Sequence, residues 1–156
     1  MKTGSRCKVG VMGFLAGVLL LLGTAFTHAP LNVDHSDTRV IRLPGAGYSR
    51  SYSVAFSPDG SLLAAGTSQG IYFFNARTLE QIRFIPTQTT VRSLAFSPDG
   101  FQLASTSYDP LVRLWRVGDG ELMQELEGHA AWVRDVTYSP DGSLLATASD
   151  DDSVTI

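Results

Sequence analysis

A histidine and a run of acids stand near the C-terminal end of the sequence: His129, then Asp150, Asp151 and Asp152, with Thr147 and Ser149 just before them. Hydroxyl, imidazole and carboxylate are the parts of a hydrolytic triad, in which the hydroxyl attacks, the imidazole takes its proton and the carboxylate orients the ring. Such a nucleophile usually stands on a Gly-x-Ser-x-Gly elbow between a strand and a helix, and the chain is expected to lack one. The three consecutive aspartates suggest a cation site. Hard-cation loops, however, spread their oxygen ligands around a curved segment and close it with a further acid, and no spaced acidic partner or closing Glu follows Asp152. A hairpin turn is the better reading. His28 and His35 form no metal-ligand pattern, and no phosphate-cradling glycine loop is present. No catalytic residue, metal or cofactor is therefore assigned.

The elements around these residues announce themselves by repetition. "AFSPDG" occurs at 55–60 and again at 95–100, and "TYSPDG" follows at 137–142. The copies are 40 and 42 residues apart, and Leu63, Leu103 and Leu145 keep the same register, as do Phe74 and Trp115. Each copy reads as the turn of a hairpin. Proline presets the first central position, aspartate tolerates the second, and glycine supplies a left-handed residue. A strand ending in an aromatic (Phe56, Phe96, Tyr138) precedes the turn, and a strand rich in Ala, Ser and Thr follows it. A β-branched or aromatic third strand ("GIYFFN", "LVRLWR") and a fourth ("QIRFIP", "LMQELEG") complete the unit. Four strands in each period of about 40 residues describe one propeller blade.

On these motifs the sequence resembles the WD-repeat family of β-propellers over residues 40–156. The Ser-Pro-Asp-Gly turns, Gly128-His129, "ASDDDSVTI" and "DPLVRLWR" carry the likeness. It implies an all-β fold: a partial β-propeller of four-stranded antiparallel blades, two full repeats and most of a third; the N-terminal residues, read by themselves, are expected to add an apolar helix before it. It also implies a buried hydrogen-bonded set of His, Ser or Thr, Asp and Trp within a blade. The third repeat offers His129, Asp151 and Thr147 or Ser149. The second offers Asp109, Trp115 and Ser105 or Ser107 without a Gly-His, and the first has Phe74 and Asn75 in the Trp-Asp position. These departures suggest blades held more by apolar packing than by the polar set. Family members present partner-binding side chains from the loop before the first strand and the turn after the second. By that resemblance the candidates are Tyr52, Arg92, Arg134, Trp132, Tyr108 and Asp150.

The first thirty residues belong to a different element. A basic "MKTGSRCK" leads into an uncharged apolar run at 9–22, and small residues follow up to Ala25. That is the layout of a signal peptide, with cleavage after Ala25. An uncleaved anchor is the alternative, because extension to Phe26 gives eighteen residues, the lower edge of a membrane span. Residues 1–29 are thus expected to be a signal peptide or membrane anchor and 30–39 a linker, with the blades on the non-cytoplasmic side. The single cysteine, Cys7, precedes the apolar run, so the blades contain no disulfide. After residue 30 there are nine arginines and fifteen acids, a balance of −6. That sign opposes nucleic-acid binding, which relies on Lys and Arg against phosphates.

Residues 37–45 resemble the fourth strand that precedes each repeat, as in propellers whose N-terminal outer strand completes the last blade. Ring closure takes about four to eight blades. The chain is therefore expected to be the N-terminal part of a longer protein, unless several chains assemble into one ring. The expected function is a noncatalytic scaffold that binds other proteins or peptides, exported or membrane-anchored through residues 9–26. The alternative is the propeller part of a larger enzyme or receptor whose active domain lies C-terminal.

Overall fold

The computed structural model describes Ile41 and residues 49–156. The N-terminal apolar segment, the linker and all of the 37–45 segment except Ile41 lie outside the described residues. Among the described residues the chain is all-β, with eleven strands and no helix long and apolar enough to cross a membrane.

Three antiparallel sheets follow one another along the chain. Blade 1 is β1 (Ser51–Phe56), β2 (Leu62–Thr67), β3 (Gly70–Asn75) and β4 (Gln81–Pro86), paired in that order. Blade 2 repeats the order with β5 (Val91–Phe96), β6 (Gln102–Ser107), β7 (Val112–Arg116) and β8 (Leu122–Leu126). Blade 3 contains β9 (Val133–Tyr138), β10 (Leu145–Ser149) and β11 (Val154–Thr155). The register repeats as well: Phe56 pairs with Leu63, Phe96 with Leu103 and Tyr138 with Leu145.

The hexapeptide folds as its composition requires. The Gly60 amide donates to the Ser57 carbonyl at 2.8 Å across Pro58 and Asp59, and the Gly100 and Gly142 amides make the same bond. All three glycines are left-handed, at φ 68°, 76° and 73°. The serine does more than lead into the turn. Ser57 Oγ accepts the Leu62 amide at 2.9 Å and donates to Asp59 Oδ1 at 2.6 Å. Ser97 with Asp99, and Ser139 with Asp141, repeat that arrangement. Aspartate is therefore an acceptor that locks the loop, not merely a residue the turn tolerates.

Strand alternation sends successive side chains to opposite faces, and in blade 2 both faces are covered. One face of blade 1 (Ala64, Ile71, Phe73, Ile85) packs on Val91, Leu94, Leu103 and Trp115 of blade 2. The other face of blade 2 (Ala104, Val112) packs on Val133 and Val136 of blade 3. Ile41 lies against the remaining face of blade 1, on the cluster of Ala65, Tyr72 and Phe74. The small residues of β2 and β6 thus serve close sheet stacking. β1, β5 and β9 neighbour one another from blade to blade. The Ser-Pro-Asp-Gly turns share one end of these strands. The turn after each second strand lies at the opposite end, beside the start of each first strand.

Candidate interaction surface

At that opposite end of blade 3, His129 Nδ1 donates to Asp151 Oδ2 at 2.9 Å, and its Nε2 lies 2.8 Å from Thr147 Oγ1. The Ala130 amide donates to the same carboxylate at 2.8 Å. Ser153 Oγ hydrogen-bonds Asp151 Oδ1 at 2.5 Å and is the main reason that the Asp151 carboxyl is held well below its ordinary range. Of the two hydroxyls the sequence offered, Thr147 meets the histidine, whereas Ser149 Oγ donates to the Ala131 carbonyl. The set has the shape of a triad, but its hydroxyl belongs to a buried threonine in the middle of β10. Val112, Leu126, Leu145 and this His–Thr pair border a cavity of about 330 Å³. Leu145 and Thr147 stand there as Leu103 and Ser105 stand under Trp115 in blade 2.

In blade 2, Trp115 Nε1 donates to Ser105 Oγ at 2.8 Å. Ser107 is buried but is not the tryptophan's acceptor. Asp109 does not join this pair. Its carboxylate takes Arg113 at 2.9 Å, and Arg113 also binds Glu125 at 2.9 Å. Blade 1 uses neither arrangement: buried Thr67 Oγ1 donates to the Gly70 carbonyl at 2.8 Å and accepts the Gly70 amide at 3.1 Å. Apolar packing between the blades is thus accompanied by local polar bonding in each of them. Blades 1 and 2 each carry a polar set of their own, built from different residues. Sequence reasoning passed over Arg113, Glu125 and Thr67. The signal that could have found Arg113 is its place two residues before Trp115, across the sheet from Ser105.

The candidate partner-binding residues form one row across the three blades. Arg92 lies 5.3 Å from the Tyr52 ring centroid and 5.4 Å from that of Tyr108. Arg134 lies 5.8 Å from Tyr108 and 5.2 Å from Trp132. The Tyr108 and Trp132 rings meet edge to face at 5.0 Å. Each cation sits over ring faces that carry negative quadrupole density. Asp150 closes the row by accepting from Arg134 Nε at 2.6 Å and from its Nη2. Those bonds hold the Asp150 carboxyl below its usual value and raise the Arg134 guanidinium. Trp132 is 48% exposed and not inserted between blades.

Three segments, 38–75, 79–116 and 120–156, match the WD domain, G-beta repeat. The chain belongs to the WD-repeat family. Each matched segment ends with a third strand and, in the second and third segments, opens close to the fourth strand of the blade before it. The WD sequence repeat is thus offset by one strand from the structural blade. The chain is 42% identical over 73 residues to the WD repeat-containing protein SL1-17 of Schistosoma mansoni, covering 46% of this chain and 24% of that protein. It is 30% identical over 125 residues to the transcriptional corepressor LEUNIG_HOMOLOG of Arabidopsis thaliana, covering 78% of this chain and 15% of that protein. It is 46% identical over 56 residues to the probable serine/threonine-protein kinase PkwA of Thermomonospora curvata, covering 36% of this chain and 8% of that protein. The chain thus spans 24% or less of the length of these relatives.

Within this WD-repeat chain the letters Gly-x-Ser-x-Gly do occur, as Gly66-Thr67-Ser68-Gln69-Gly70, contrary to expectation. They join β2 to β3 within one antiparallel sheet, so the strand-to-helix bend that exposes a nucleophile is not formed. Asp150 and Asp151 belong to separate hydrogen-bond sets, on Arg134 and on His129, and Asp152 takes the left-handed turn position at φ 62°.

Proposed function

We propose that the chain is a noncatalytic protein-interaction module built of WD repeats, and that the row from Tyr52 to Trp132 is its contact surface. The single observation that carries this reading is the continuity of the row. Two arginines and three aromatic rings from three blades meet at one end of the strands. Trp, Tyr and Arg are the residue types in which binding energy concentrates at interfaces. Rings packed edge to face, with guanidinium groups held over them, have little side-chain freedom left to lose on binding. Export is part of the proposal and rests on the N-terminal sequence alone, with residues 1–29 directing the blades to the non-cytoplasmic side.

Site-specific crosslinking tests the surface. A photoreactive residue at position 132 is expected to capture a partner that the same residue at position 101, beside a Ser-Pro-Asp-Gly turn, does not. Trp132→Ala and Arg134→Ala are each expected to weaken that partner roughly 30-fold, the effect of losing a hot spot. Equal capture from both ends, or undiminished affinity in both variants, would overturn the assignment.

A further inference from the structure

Arg92 and Arg134 occupy equivalent positions of β5 and β9, 42 residues apart, and the residues facing them from the next turn, Tyr108 and Asp150, are 42 apart as well. Blade 3 therefore supplies its arginine with a carboxylate, and blade 2 supplies a phenol ring in the same place. Arg134 spends Nε and Nη2 on Asp150. Arg92 is flanked by Tyr52 and Tyr108 and has no ion pair among the described residues. Its Nε is buried without a hydrogen-bond partner, while its terminal nitrogens are neither hydrogen-bonded to a described residue nor sealed from solvent. Two rings thus hold the guanidinium plane with its open edge outward.

We propose that Arg92 is the recognition residue for an acidic side chain of a partner peptide, whose carboxylate seats across the two terminal nitrogens. The proposal rests on the interaction-module reading and names the chemistry that its surface selects. Arg134 with Asp150 is the template, because it shows within the same chain what this strand position binds when a carboxylate is in reach. A guanidinium fork matches a carboxylate in a bidentate, charge-assisted pair, and the flanking rings restrict its rotamers before the partner arrives. The chain carries a net −6 after residue 30, so an acidic peptide gains nothing from the overall field. Its affinity must come from this local cation.

Fluorescence anisotropy with a short labelled Gly/Ser peptide containing Glu, and the same peptide with Gln for every Glu, tests this on the full chain. The native chain is expected to bind the Glu peptide at least about tenfold more tightly than the Gln peptide, as a charge-assisted pair would. Arg92→Gln removes the selectivity. Tyr108→Asp removes it by giving Arg92 the internal carboxylate that blade 3 already has. Asp150→Asn frees Arg134 and strengthens Glu binding. Circular dichroism of each variant verifies that the sheets persist. Absence of Glu selectivity in the native chain, or its retention in either Arg92→Gln or Tyr108→Asp, overturns the proposal. If crosslinking from position 132 still captures a partner in that case, the interaction surface stands and only the acidic specificity falls.

Discussion

Trp115 and Ser105 in blade 2 correspond to Phe74 and Ala65 in blade 1, and the two pairs make sense only as pairs. A buried indole N–H needs an acceptor, whereas a phenyl ring opposite alanine needs none. Ser105→Ala would leave the Trp115 N–H buried and unmet, at an expected cost of about 1–3 kcal/mol in urea unfolding. Adding Trp115→Phe to that variant should cost less than Trp115→Phe alone, and a double-mutant cycle measures the coupling. Ser105 and Ser107 share a strand face, so alternation could not choose between them. The cross-strand register does: Leu103 is opposite Trp115 and Ser105 is its diagonal neighbour. The turn carboxylates give a second test at this scale. Hydrogen bonds from Ser57 and Ser139 first, then from Ser61 and Ser143, lower Asp59 and Asp141 from 3.8 to about 2. A carboxylate depressed in the folded state stabilises it above the unfolded value, near 4, and the gain is lost as pH falls through about 4 to about 2. Asp141→Asn should lower the urea midpoint at pH 7 and flatten its decline across that acid window.

The Ser-Pro-Asp-Gly turn is an element complete in itself, which is why it was readable without a structure. Its hydrogen bonds run between residues at most five apart, from Ser57 to Leu62 and from Gly60 to Ser57. A side chain at the left-handed glycine costs about 1–2 kcal/mol. A Cβ on Gly60 would meet nothing within 4 Å, whereas one on Gly142 would come within 3.3 Å of Pro98 in the neighbouring blade. Gly142→Ala should therefore destabilise more than Gly60→Ala, a difference that thermal melts of the two variants would show. The turns between second and third strands were legible as turns but not in their bonding. Thr67, Asp109 and His129 each organise a different one.

At the scale of the whole molecule, stability lies between blades. Phe73 is 1% exposed and meets Phe96 of blade 2 edge to face at 6.4 Å. Arg83 spans the outer rim by donating to the Val117 and Gly118 carbonyls at 2.7 Å each. Phe73→Ala is expected to cost about 3–5 kcal/mol, because the vacated space lies between two sheets that cannot collapse onto it independently. Trp132→Ala, half exposed at the opposite end from the Ser-Pro-Asp-Gly turns, should barely move the unfolding midpoint. Urea titration of both variants would separate the residue that holds blades together from the one offered to a partner.

Sequence alone determined the strands, their order in the sheet, the turns and the blade period, because each depends on side-chain alternation and contacts within a few residues. It also put Tyr52, Arg92 and Arg134 at one repeated position. Tertiary structure decided what those positions do. Stacking brings residues about 40 apart into ring and cation contact, and the side chain opposite each arginine depends on how neighbouring blades sit. Arg134 is ion-paired with Asp150, while Arg92 lies over two rings with no ion pair among the described residues, and the repeat pattern on its own assigns the two the same role.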